Sequence, residues 1–97
     1  MIVDDAIMIL KDQVEINTNE TDWSLESVTA GREELDPAII CTKKGRLPKL
    51  VMTHLFLYIE PDTGTDYVVF FIMDATSSRE YVRGLLIKGQ LFWTLEA

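Results

Sequence analysis

The chain has 97 residues, of which 47% are hydrophobic and 26% charged, and its formal net charge is −7 at pH 7. This length allows one domain, residues 1–97, and the apolar content excludes an intrinsically disordered chain. No apolar run approaches the ~20 residues of a membrane-spanning helix, the first five residues lack the basic start of a signal peptide, and the one cysteine, Cys41, excludes an intramolecular disulfide. We therefore expect a cytoplasmic protein without a membrane span.

The charge is concentrated near the start of the chain. Residues 1–36 contain ten carboxylates against Lys11 and Arg32, which gives this part a net charge of −8. Such a surface repels nucleic acid and attracts a basic protein, although the simpler explanation is ordinary solubility of a domain with a hydrophobic sheet. We predict an acidic partner surface formed by Asp22, Glu26, Glu33, Glu34 and Asp36.

Residues 2–16 are predicted to form an amphipathic helix. Apolar residues recur there at spacings of three and four, namely Val3, Ala6, Ile7, Leu10 and Val14. Asp4 and Asp5 place negative charge in the first turn, where the helix dipole favours it. The polar run at residues 17–19 is expected to end the helix.

The next thirty residues contain weaker signals. Residues 23–29 and 38–42 are predicted to be short strands, joined by a polar connection at residues 30–37. A turn at residues 43–49 carries four bases beside a glycine and is a weak candidate for phosphate binding: Lys43, Lys44, Arg46 and Lys49. We do not expect nucleic-acid binding, because no aromatic residues interleave with these bases and the whole chain is acidic.

From residue 50 onward the pattern predicts a four-stranded antiparallel meander. A five-residue loop at 61–65 would place Phe56 opposite Phe70, and the later turns would place Phe70 opposite Gly84 and Gly84 opposite Trp93. On this register one face, which includes His54, is uncharged across four strands. We expect this face to be the core beneath the helix, with the Trp93 ring above Gly84.

The opposite face of the predicted meander is apolar in its first two strands. We predict that it is a protein-interaction surface made of Val51, Leu55, Leu57, Ile59, Tyr67, Val69, Phe71 and Met73. A half-exposed antiparallel strand normally alternates apolar and polar residues, so this surface requires a cover. The cover is an earlier part of this chain, namely residues 23–29 and 38–42, a second copy or a different protein.

The predicted fold class is α+β, with the N-terminal amphipathic helix packed on an antiparallel meander of four to six strands. The alternative is a small, mostly β barrel closed around an apolar ligand. Its lining would be Met52, Phe56, Tyr58, Phe70 and Trp93.

The sequence contains no recognisable catalytic or metal-binding motif, so we expect neither an enzyme nor a cofactor. The only histidine, His54, is expected in the core with one hydrogen bond, and Cys41 is expected to fill space at the end of a strand. The functional hypothesis is a small acidic protein-interaction module of the inhibitor, immunity or anti-defence type, which self-associates through a sheet face. The alternatives are a structural subunit of a homo-oligomer and the apolar-ligand barrel.

Overall fold

The computed structural model describes residues 3–39 and 46–96, which form one α-helix packed on a five-stranded antiparallel sheet. The elements are α1 (Val3–Val14), β1 (Ser24–Gly31), β2 (Leu50–Ile59), β3 (Asp66–Asp74), β4 (Glu80–Ile87) and β5 (Gln90–Glu96). The strands lie side by side in chain order. The predicted α+β class is confirmed. The barrel alternative is wrong, because β1 and β5 are the two edges of an open sheet.

Helix α1 lies within the predicted range and buries Ala6, Ile9 and Leu10. It ends two residues before the polar run at 17–19. Glu15 has a φ of 58°, and its N–H donates to the Lys11 carbonyl at 2.9 Å. A residue in the left-handed region with such a bond is a common way to end a helix.

The segment between the helix and β2 agrees with only one of the two strands predicted there. Residues 23–29 correspond to β1, which pairs with β2 along its whole length. The strand predicted at residues 38–42 is wrong at its start, because Pro37–Ile39 is a short 3-10 helix, and residues 40–42 lie outside the described residues. Two further 3-10 turns occur at Glu20–Asp22 and Arg32–Glu34.

The pairing of β2 with β3 differs from the predicted register by one residue. Phe56 lies opposite Val69, not opposite Phe70. The connection is a four-residue loop, because the Glu60 N–H donates to the Thr65 carbonyl at 2.9 Å and Gly64 takes a φ of 72°. A loop one residue shorter than predicted moves the side chains of one strand to the opposite face relative to the other.

This slip changes which residues form each core. On the side covered by α1, the buried sheet residues are Phe56, Tyr58, Tyr67, Val69, Phe71 and Leu85. On the other side they are Val51, Phe70, Ile72, Val82 and Leu86, which pack beneath Leu35, Ile39 and Leu47. The prediction that the helix covers the face containing Phe70 and Ile72 is therefore wrong. Leu35, Ile39 and Leu47 supply that cover.

The later pairings are closer to prediction. Phe70 lies opposite Gly84 and Leu86 opposite Leu91, as expected. A register shift beyond Leu91 then places Trp93 opposite Leu85. The space above Gly84 is filled by the Phe70 ring instead of the predicted Trp93 ring, since a Cβ added at Gly84 would lie 2.6 Å from Phe70 Cε2.

Candidate interaction surface

The eight residues predicted to form one interaction surface lie on two different faces of the sheet. Tyr67, Val69 and Phe71 are buried in the core beneath α1, with Met73 on the same face of β3. The four residues of β2 lie on the face away from the helix: Val51, Leu55, Leu57 and Ile59. A single surface formed by all eight is therefore excluded, because the one-residue register shift separates the two groups.

Within residues 3–39 and 46–96, the face away from the helix is covered at one end only. Leu35, Ile39 and Leu47 pack over the end that contains Val51 and Ile72. At the other end, a row of apolar side chains crosses four neighbouring strands through the aligned positions Leu57, Val68, Leu86 and Leu91. Leu86 is buried, but Leu91 is 45% exposed.

We define the open patch as the five exposed or half-buried apolar residues at this end: Leu55, Leu57, Ile59, Val68 and Leu91. Ile59 is 55% exposed. A shallow concavity of about 360 Å³ lies at its β1 side, lined by Ser24, Leu25, Glu26, Leu55, Leu57 and Val68. The patch therefore combines an apolar floor with the carboxylates of Glu26 and Asp66 at its rim, since Asp66 is exposed opposite Ile59.

Glu26 differs from the other acids of the predicted partner surface. It is exposed opposite Leu55, and its carboxylate makes no hydrogen bond or ion pair with any described residue. Asp22 accepts a hydrogen bond from the Asn19 N–H at 2.8 Å, and Asp36 accepts one from the Ala38 N–H at 2.9 Å. Both carboxylates hold local turns.

Two further acids of that surface also have local contacts. Glu34 accepts a hydrogen bond from the Gly31 N–H at 3.2 Å, and Glu33 lies 3.6 Å from Arg32 Nε. The sequence alone does not distinguish these five acids from one another. Their backbone partners became visible only once the 3-10 turns around them were known, and Glu26 is the acid whose charge is left at the open patch.

The basic residues proposed for phosphate binding are only partly described. Lys43 and Lys44 lie outside the described residues. Arg46 lies 3.8 Å from Glu96 at an exposed position, and Lys49 is exposed beside the start of β2. The ion pair connects the segment before β2 to the end of β5.

His54 lies on the helix side of the sheet and is half-buried. Its Nδ1 atom is 2.7 Å from Ser27 Oγ on the neighbouring edge strand, which supplies the single hydrogen bond expected for it. A hydrogen-bonded serine–histidine pair supplies the nucleophile and the base of a catalytic triad, whose third member orients the histidine ring. Among residues 3–39 and 46–96, no carboxylate holds the ring from the other side, and no group of three possible metal ligands is found.

A second concavity lies beside β1 on the helix side. Its volume is about 470 Å³, and its lining is Val3, Glu20, Trp23, Ser24, Leu25, His54 and Phe56. We call it the β1 groove. Sequence analysis missed it because its walls come from α1, a 3-10 turn and two strands, and only β1 pairing brings them together.

One wall of the β1 groove is held in place by a hydrogen bond and a tilted aromatic contact. The Trp23 indole N–H donates to Thr18 Oγ1 at 2.8 Å, and its ring centroid is 5.5 Å from that of Tyr58. Burial raises the pKa of the Tyr58 hydroxyl, and the carboxylates of Glu60 and Asp22 raise it further. The phenol behind Trp23 therefore stays neutral at physiological pH.

Comparisons with protein-family models, with curated proteins and with solved structures found no match. In the described ranges, no helix has the length and apolar content needed to cross a membrane. The open patch and the β1 groove are therefore the basis for functional proposals.

Proposed function

We propose that this chain is a small acidic protein-interaction module that binds and blocks a partner protein, as inhibitors, immunity proteins and anti-defence proteins do. The observation that carries the proposal is the open patch beside Glu26. Soluble monomers seldom expose a large contiguous apolar surface unless it is a binding site. Here the apolar row through Leu57, Val68 and Leu91 continues from a buried core into solvent.

The energetics of the open patch favour a protein partner. Complete burial of one Leu or Ile side chain contributes roughly 1.5–3 kcal/mol. Burial of the five side chains of the open patch therefore contributes favourable binding free energy. The entropy lost when side chains are ordered and when two molecules join offsets much of this contribution. Binding sites that depend on a few buried apolar anchors surrounded by polar groups have this composition.

The negative charge beside the open patch indicates which class of protein it binds. Glu26 is an uncompensated carboxylate at the rim of the patch, and the chain as a whole carries −7. A carboxylate covered by an apolar partner would lose its hydration without compensation. A partner segment with Lys or Arg next to apolar residues avoids that cost and is also attracted over longer distances. The proposed partner is therefore a protein with a basic, amphipathic segment.

The test compares two variants with the same substitution on the same strand. Leu57→Glu places a charge in the open patch, whereas Leu50→Glu places it at the other end of β2, where Leu50 is already 48% exposed. Tagged wild type and both variants are expressed in the source cells, and co-purified proteins are quantified by mass spectrometry. The specific partner is then purified and its affinity and activity are measured with each variant.

We expect Leu57→Glu to weaken binding at least tenfold, which corresponds to about 1.4 kcal/mol, and Leu50→Glu to leave binding unchanged. Addition of wild type should suppress the partner's own activity. A partner that binds Leu57→Glu as tightly as wild type would exclude the open patch as its site. A partner whose activity is unaffected in the complex would contradict the blocking role.

Self-association is a second candidate function, favoured by the exposed apolar residues on the edge strand β5. Leu91, Phe92 and Leu95 are 45–55% exposed there, and no charged residue lies between Gln90 and Glu96. An edge strand without charges is a template for pairing with another chain. Sedimentation equilibrium at several concentrations distinguishes the candidates: a constant monomer mass excludes a homo-oligomer, and a dimer dissociated by Phe92→Glu supports it.

A further inference from the structure

We propose that the β1 groove is a small-molecule site for an organic ammonium ion that carries an aromatic or alkyl group. The groove opens on the helix side of the sheet and shares only Ser24 and Leu25 of the edge strand with the concavity at the open patch, so its other lining residues test it separately from the protein-binding proposal. Its volume of about 470 Å³ is within the range of known ligand sites. Four of its seven lining residues are apolar: Val3, Trp23, Leu25 and Phe56.

The apolar part of the groove is preorganised. Trp23 is fixed by its hydrogen bond to Thr18 and by its tilted ring contact with Tyr58. Phe56 is only 3% exposed and meets Phe71 edge to face, with ring centroids 5.7 Å apart. Leu25, in contrast, is 56% exposed and forms the outer wall. A ligand therefore meets two immobilised aromatic rings, and little entropy is lost in ordering them.

The polar groups of the groove select a cation. The Glu20 carboxylate has no hydrogen bond or ion pair with any described residue, and no lysine or arginine lines the groove. The indole face of Trp23 adds attraction for an ammonium group, because the ring quadrupole is negative above and below the plane. An anion would meet an uncompensated carboxylate and the negative charge of the whole chain.

His54 gives the groove a further point of recognition. The contact between Nδ1 and Ser27 Oγ fixes the orientation of the ring, whichever of the two atoms donates. This leaves Nε2 as the ring nitrogen for a ligand. A hydroxyl or amide on the ligand body fits this position, so we expect the preferred ligand to be an aryl- or alkylammonium with one such group.

The experiment follows amide and indole resonances of the complete, ¹⁵N-labelled chain by NMR during titration. The probe is phenethyltrimethylammonium, and the matched control of opposite charge is 3-phenylpropionate. We expect the cation to cause saturable shifts at the Trp23 indole N–H and at the His54 and Phe56 amides, because these residues line the β1 groove and not the concavity at the open patch. The anion should leave these resonances unchanged.

Two charge-neutralising variants provide the structural control. Glu20→Gln removes the carboxylate of the groove, whereas Glu26→Gln makes the same change in net charge on the other face of the sheet. Because an exposed ion pair contributes up to about 1 kcal/mol, Glu20→Gln should raise the dissociation constant of the cation roughly twofold to fivefold. Glu26→Gln should leave it unchanged.

Three results would overturn the proposal. The first is the absence of saturable shifts up to the solubility limit of the cation. The second is an equal response to the cation and the anion, which indicates a non-selective apolar surface. The third is an equal effect of Glu20→Gln and Glu26→Gln, which assigns the attraction to net charge and not to the groove.

Discussion

Replacing Gly84 by alanine should destabilise the protein strongly, because the site has no space for one methyl group. The added Cβ would lie 2.6 Å from Phe70 Cε2 and 2.9 Å from the Trp93 carbonyl oxygen. Favourable carbon contacts are about 3.5–4.0 Å, so the ring would have to retreat by about 1 Å. Phe70 is fully buried in the core beneath Leu35, Ile39 and Leu47, so its ring cannot move aside into solvent.

Overpacking of this kind costs about 1–3 kcal/mol, and the immobile surroundings favour the upper half of that range. At roughly 4–8 °C per kcal/mol for a domain of this size, the midpoint of thermal unfolding should fall by roughly 10–20 °C. Urea unfolding followed by circular dichroism gives the free energy directly. The spectrum of the folded variant should remain that of the wild type.

A double-mutant cycle identifies the ring responsible. Phe70→Leu removes the ring atoms above Gly84, so Gly84→Ala should cost clearly less in that background than in the wild type. Trp93→Leu should give no such relief, because only the backbone oxygen of Trp93 faces the added methyl group. Relief by Trp93→Leu and not by Phe70→Leu would show that the Trp93 ring lies above Gly84, and the register described here would be refuted.

Two further predictions concern a buried hydroxyl and a turn carboxylate. Thr53 is 3% exposed and its Oγ1 has no hydrogen-bond partner among the described residues. Thr53→Val should therefore raise the free energy of unfolding, measured by urea denaturation, by about 1 kcal/mol. A loss of stability would reveal a partner for the hydroxyl. Hydrogen bonds from the Thr76 N–H and hydroxyl, with a smaller contribution from Ser77, lower the pKa of Asp74. Because the pKa of Asp74 is lower in the folded chain than in the unfolded chain, where it is near 3.8, the ionised carboxylate stabilises the fold at pH values above 3.8. This stabilisation is lost as the pH falls through the pKa of the folded chain. The wild type should therefore unfold at a higher temperature than Asp74→Asn at neutral pH, and this difference should disappear in acid; a difference that is constant with pH would contradict the assignment.

The elements of the fold were largely predictable from the sequence. The spacing of Ala6 and Leu10 predicted α1, and the alternation of turns and apolar runs after residue 50 predicted β2 to β5. The cover formed by Leu35, Ile39 and Leu47 was not predictable, because these residues lie in 3-10 turns and loops without a periodic pattern. Such segments are positioned by the surface they cover, which is known only after the sheet has formed.

The candidate sites depended on one detail of register. In an alternating strand, a shift of one residue would expose the apolar side chains, so the pattern itself fixes the register. Strands β2 and β3 are apolar on both faces, and either register buries large side chains. The loop after Glu60 therefore determines the register. The hydrogen bond between the Glu60 N–H and the Thr65 carbonyl makes this loop four residues long.

The same two-sided composition explains why a binding surface remains. Helix α1 covers one face of the sheet, and among the described residues Leu35, Ile39 and Leu47 cover only one end of the other face. Natural selection for stability alone would favour polar residues at positions such as Leu57 and Ile59, because exposed apolar side chains on a sheet promote aggregation. Their presence in the open patch is explained if a partner covers them during part of the life of the protein. Replacement of both by threonine should then leave folding intact while it abolishes binding.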